Sequence, residues 1–302
     1  MVRQFICLSL LLYSSFPPAL SQQSSSVSVK GKLLCGEYPA VRTVVRLWSS
    51  TRVKEEEVAA SILAQDYSDA DGNFKMVANF DSKENLQPVL SIHHDCDDTK
   101  KAGRRKLNFI VPSSYVKSSD EPQSTFDLGV FNLETHIKED EERVEEVTRK
   151  RRRHATGHRM KSIHVFVDLL LLSTMQYSSA FRKQGVSVKG RLLCDGKPLR
   201  NVKVKIYDLD RNPGDSDDLL DEKFSDKDGR FALSGTTREL TDIEPVLYIY
   251  HDCQDGIRPC QKRVTVEVPK RFIHGGTPSA WMDVGNMNLE MTYPNQDRSC
   301  NH

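Results

Sequence analysis

Val27–Cys35 reads VSVKGKLLC and Val186–Cys194 reads VSVKGRLLC, the same stretch with one Lys exchanged for Arg. The shift from Cys35 to Cys194 is 159 residues, and with small adjustments the correspondence runs on. SDADGNF at Ser68 meets SDKDGRF at Ser225, QPVLSIHHDC at Gln87 meets EPVLYIYHDC at Glu244, and FDLGVFNLE at Phe126 meets MDVGNMNLE at Met282. A repeat of this length marks two complete copies of one domain, each about 110–120 residues and within the usual domain range. Within a copy the period is two. Val202, Val204 and Ile206 alternate with Lys203 and Lys205, and Val264, Val266 and Val268 alternate in the same way, as strands with one buried face require. Asp71-Gly72, Asp195-Gly196 and Asp228-Gly229 supply tight reversals between such strands. The expected fold is therefore all-β, two antiparallel β-sandwich domains, with one short helix expected around Lys54–Gln65.

The ordered blocks VKGxLLC, SDxDGxF, PVLxIxHDC and DxGxxNLE resemble those of the nematode transthyretin-like family across nearly all of both copies. The resemblance implies a transthyretin-type sandwich and a secreted protein. It also brings the hydroxyisourate hydrolases into view, since they share that fold. Those enzymes use clustered His and Arg and close on a Tyr-Arg-Gly-Ser tail, whereas the chain here closes on RSCNH, Arg298–His302. Two copies in one chain depart from the single domain typical of the family.

The first 21 residues combine a basic start at Arg3, an apolar run from Phe5 to Tyr13 and small residues Ala19 and Ser21, the pattern of a removable signal peptide. The run is shorter than the roughly 18 apolar residues of a spanning helix, so no stable membrane span is expected. Residues 22–134 form the first domain, 135–159 a charged linker, 160–180 a second signal-like apolar segment and 181–302 the second domain. The linker carries the multibasic run Arg149, Lys150, Arg151, Arg152 and Arg153, a pattern that suits processing proteases. Three readings of this middle stretch compete: two secreted proteins joined in one frame, a precursor cut at the basic run, and an intact two-domain chain.

Of seven cysteines, Cys7 leaves with the signal peptide and six remain, an even number suited to an oxidising compartment. Cys35 and Cys96 of the first copy correspond to Cys194 and Cys253 of the second, which adds Cys260 and Cys300 together. Cysteines absent together are most simply partners, so the expected pairs are Cys35–Cys96, Cys194–Cys253 and Cys260–Cys300. The HDC triplets at His94–Cys96 and His251–Cys253 offer metal-ligand types, but paired cysteines leave no thiolate for a tetrahedral site. No metal and no cofactor are expected. Nor is there a G-x-S-x-G elbow or another nucleophile context. Lys100, Lys101, Arg104, Arg105 and Lys106 form a basic cluster, read first as a solvated hairpin tip and second as a contact for an anionic surface. With 43 Lys and Arg against 42 Asp and Glu, no global field selects nucleic acid.

The function expected is that of a non-catalytic extracellular binding or adaptor protein, secreted or held at the cell surface, meeting an extracellular protein, a lipid or a small apolar ligand. A carrier of a small hydrophobic molecule is the alternative, and a residual hydrolase the third. An apolar pocket with a few polar groups favours the carrier, and charged loops without one favour the adaptor. Mass spectrometry of secreted material under denaturing conditions should give two chains, neither containing Met160–Ala180. One chain retaining that segment would overturn the processing expectation.

Overall fold

The alternating pattern becomes strands whose inward residues meet across two layers. The computed structural model describes residues 24–50, 62–81, 87–96, 104–118, 124–137, 142–144, 181–210, 216–294 and 296–302. The signal-like segments and the multibasic run lie outside the described residues.

In the first copy, β1 (Ser24–Cys35), β2 (Tyr38–Pro39), β3 (Val44–Ser50), β4 (Ile62–Tyr67), β5 (Asn73–Asp81) and β6 (Gln87–His94) are followed by β7 (Arg104–Ile110), β8 (Val116–Ser118), β9 (Thr125–Asn132), β10 (His136–Ile137) and β11 (Glu142–Val144). The second copy contains β12 (Arg182–Cys194), β13 (Lys197–Pro198), β14 (Lys203–Asp208), β15 (Asp218–Phe224) and β16 (Arg230–Glu239). It continues with β17 (Pro245–His251), β18 (Gln261–Glu267), β19 (His274–Gly275), β20 (Met282–Asn288) and β21 (Asp297–Ser299).

Each copy is a two-layer sandwich. In the first, β1 lies between antiparallel β5 and parallel β9, and the facing sheet runs β11-β7-β6-β3-β4. In the second, β12 lies between β16 and β20, and the facing sheet runs β18-β17-β14-β15. Val27, Val29, Phe74, Met76, Leu90, Ile92, Leu107 and Phe109 fill the first core, and Val186, Val188, Phe231, Leu233, Leu247, Ile249, Val264 and Val266 the second. β9 and β20 then pair with each other, so one sheet runs through both copies.

The repeated motifs are largely structural devices. Asp69 Oδ1 accepts from the Asp71 and Asn73 amides, as Asp226 Oδ1 does from Asp228 and Arg230, which folds SDxDG into a turn. Gly72 and Gly229 sit at φ of +80° and +74°, and a Cβ there would strike the carbonyl of Leu33 or Leu192. Ser68 Oγ and Ser225 Oγ accept the amides of Thr43 and Val202 and close the base of the β3–β4 and β14–β15 hairpins.

One local expectation fails. Ile62–Gln65 is strand, not helix, because β4 completes an antiparallel ladder with β3 from Val44↔Tyr67 to Trp48↔Ile62. Cross-strand hydrogen bonding outweighs the helix propensity of Leu63, Ala64 and Gln65. Residues 54–61 lie outside the described ones.

Cys35 is bonded to Cys96 and Cys194 to Cys253, with Cα separations of 5.7 and 5.9 Å. Each bond ties the end of the first strand in one layer to the corner after the HDC strand in the other. Cys260–Cys300, with Cα atoms 4.4 Å apart, ties the tail to the loop before β18. Replacing Cys194 and Cys253 with Ser should cost the second domain about 4 kcal/mol by the chain-entropy relation, read as a lower denaturant midpoint. Replacing Cys260 and Cys300, 40 residues apart, should speed hydrogen exchange in the tail and cost less than the roughly 4 kcal/mol of the same relation, because the freed tail regains entropy in the folded state too.

Candidate functional site

The HDC strand end is buried in both copies. His94 and His251 are among the buried polar residues, and desolvation holds both imidazoles below their ordinary range, His251 at about 3. His251 Nδ1 accepts the Cys253 amide at 3.3 Å, so the neutral ring braces the disulfide corner. Beside it, Lys262 donates to the Cys253 carbonyl at 2.9 Å. In the first copy Arg105 takes the equivalent place, donating to the carbonyls of Cys96 (3.4 Å), Leu133 (3.2 Å) and Thr135 (3.2 Å).

That geometry takes Arg105 out of the basic cluster. Arg105 is 1% exposed because alternation along β7 turns it inward with Leu107 and Phe109, so it serves the core corner and cannot meet an anionic surface. Arg104 and Lys106 are half-buried, and Lys100 and Lys101 lie outside the described residues. Trp48 and Tyr207 hold equivalent, half-buried strand positions, with Arg46 6.0 Å from one ring and Lys205 5.7 Å from the other. Lys205 is covered as well by Glu222, whose carboxylate is 2.8 Å away.

Two donor clusters have metal-ligand composition among the described residues. Cys35, Cys96 and Glu134 form one, but both sulfurs are spent in the disulfide. The other is Asp208, Asp210 and Glu239, where burial raises the Asp208 carboxyl to about 6 while its Oδ1 accepts the Glu244 amide at 2.7 Å.

A third feature has the shape of a ligand site. A cavity of about 420 Å³ opens against the end of β17 and β18. Its floor is Ile243, Pro245, Val246 and Val268, all buried, with half-buried Leu209, Pro269 and Ile273 around it. Exposed Glu244, Lys270 and Arg271 stand at the rim, and His136 of the first copy reaches over it from β10. Apolar floor, charged rim and this volume are the ordinary properties of a small-molecule pocket. Sequence periodicity marks Val246 and Val268 as core-facing, but nothing local marks them as lining a cavity, nor His136 as reaching the other copy.

A second, wider groove of about 580 Å³ runs between the copies, with Glu37, Tyr38 and Glu134 on one side and Lys189, Phe272 and Trp281 on the other. Arg271 crosses it to Glu134 at 2.8 Å.

The family model described as the transthyretin-like family matches residues 30–112 and again 189–269, one match in each sandwich. The chain belongs to the transthyretin-like family. Among relatives in this family, transthyretin-like protein 33 of Caenorhabditis elegans is 46% identical over 126 residues, 41% of this chain and 87% of the relative. Transthyretin-like protein 2 of the same organism is 45% identical over 145 residues, 46% of this chain and 98% of the relative, and transthyretin-like protein 5 is 41% identical over 137 residues, covering 45% and 98%. Each relative thus matches about half of this chain. Likeness to solved structures is slight: the Streptococcal ancillary pilin shares 10% identity over 87% of this chain and 63% of its own, at a TM-score of 0.18, which carries no argument. Among the described residues of this transthyretin-like chain, no helix is long and apolar enough to cross a membrane.

The buried His251 makes stability depend on pH. Above pH 6.5 the ring is neutral in folded and unfolded chains, whereas between 6.5 and about 3 only the unfolded chain binds the proton. Stability from this group is therefore present above 6.5 and lost as pH falls, by about 1.4 kcal/mol per unit. Asp208, with its raised carboxyl, runs the other way, adding stability below pH 3.8 that is lost as pH rises through about 6. His251→Asn keeps an acceptor near the Cys253 amide and leaves Asp208 in place, so the difference between the two proteins isolates the histidine. The variant should lose less stability than the parent between pH 6.5 and 4 in denaturant titrations, and parallel pH profiles would refute the assignment.

Proposed function

We propose that this protein is a secreted, non-catalytic binding protein that takes a small amphiphilic molecule with an apolar body into the cavity beneath β10, at the end of β17 and β18. The observation that carries this reading is the cavity's composition: Ile243, Val246, Val268 and Ile273 against the apolar body, with Glu244, Glu267 and Lys270 at the mouth for a polar head. Burying an apolar body there gains roughly 25 cal/mol per Å² of surface removed from water. Export is supported by the signal-like first 21 residues and by cysteines that pair in both sandwiches. The absence of catalysis is supported by the bracing roles of His251, Lys262 and Arg105, each turned to backbone groups of the disulfide corner.

A protein-adaptor reading has its own observation. Tyr38 is 76% exposed and Trp281 44% exposed, and both line the groove between the copies, where aromatic anchors suit a protein contact.

Titration with the fluorescent amphiphile 1-anilinonaphthalene-8-sulfonate separates the two. Saturable binding to the folded protein should weaken more than about tenfold in Ile273→Trp, which fills the cavity, and stay unchanged in Trp281→Ala. Binding that ignores Ile273→Trp, with thermal unfolding unaltered, would remove the carrier reading.

A further inference from the structure

We infer that the two copies form a non-covalent, pseudo-symmetric pair that outlasts cutting of the linker, with DxGxxN serving as a self-complementary docking strand. This does not depend on the ligand reading above. The contact is reciprocal. β9 and β20 run antiparallel with Gly285 opposite Phe131, Asn286 opposite Val130 and Met287 opposite Gly129, so equivalent positions of the repeat exchange places about a central pair. Gly129 and Gly285 adopt φ of +84° and +81°, each with the preceding Asp side chain accepting its amide at 2.9 Å. A Cβ on Gly129 would fall 2.5 Å from the Asn286 carbonyl, and one on Gly285 would strike that of Val130. The glycine of the motif is therefore fitted to the approach of the other copy.

The asparagine crosses the same boundary. Asn132 Nδ2 donates to the Asp283 carbonyl at 2.7 Å, and Asn288 Nδ2 donates to the Asp127 carbonyl at 2.8 Å. Their Oδ1 atoms stay at home, accepting the Glu134 and Glu290 amides.

Beyond the motif, the copies exchange their next residues. His136 and Ile137 pair with Glu267 and Val266 of the second copy, while Thr292 exchanges backbone hydrogen bonds with Ile110 of the first. Ile137 and Tyr293, at equivalent places, are each 1% exposed, and Tyr293 meets Phe109 edge-on at 5.7 Å. Around this seam, Arg271 reaches Glu134 at 2.8 Å and Tyr115 donates to Glu290 at 2.7 Å. Burial followed by Glu290 pushes the Tyr115 hydroxyl well up, so it remains a donor. No disulfide among the described residues joins the copies, so the seam alone would hold them after cutting.

The test uses the full chain with a protease recognition sequence inserted in residues 145–159. After complete cutting, native mass spectrometry and size exclusion at about 1 μM should still show one species containing both fragments, and two separated species would overturn the inference. Asn132→Asp with Asn288→Asp retains the home acceptors, removes both crossing donors and sets carboxylates against carbonyls. It should raise the dissociation constant of the cut pair by more than about tenfold with near-ultraviolet circular dichroism unchanged, and an unchanged constant would overturn the role of the motif. Hydrogen exchange on the cut parent chain provides a readout free of substitutions. Slow exchange at the Ile110 and Thr292 amides, which donate to each other's carbonyls across the seam, supports the docked pair, and loop-like exchange there refutes it.

Discussion

Each sandwich hangs on the corner where the first strand is bonded to the end of the HDC strand. The Cys35–Cys96 and Cys194–Cys253 bonds connect the two layers, and the carbonyls they leave at the corner are met by Arg105 and Lys262. Burying a cation beside a backbone carbonyl is costly unless its donors are satisfied, and Arg105 spends them on three carbonyls at once. Two of those belong to Leu133 and Thr135, the residues through which β9 leaves for the other copy. The corner that closes one domain therefore also aims the segment that reaches its neighbour.

The two copies load the same frame differently at its edge. The second carries Cys260–Cys300 and an ion pair between Asp255 and Arg298, which holds the Asp255 carboxyl below its usual range and pins the tail along β18. In the first, β11 occupies the matching place on β7. The cavity reflects this asymmetry within symmetry: its floor belongs to the second copy, yet its cover, His136, is delivered by the first. Binding in that cavity would thus report on the union of the copies as well as on the second domain.

The amino-acid sequence by itself determined the strands, the repeat and the cysteine correspondence, because these depend on short-range rules. A period of two places Val202, Val204 and Ile206 inward whatever surrounds them, and Asp-Gly turns carry their own backbone preference. The same rules misjudged Ile62–Gln65 and the exposure of Arg105. In both cases the outcome rests on a partner far along the chain: β3 for the one, and the carbonyls of Cys96, Leu133 and Thr135 for the other. DxGxxN was visible as a repeated string, but a string does not say that its glycine admits a second copy of itself. Only the tertiary structure decided the β9–β20 seam, the exchanged Ile137 and Tyr293, and the cavity under His136, because each is made by surfaces from separate domains whose contact leaves no local periodic trace.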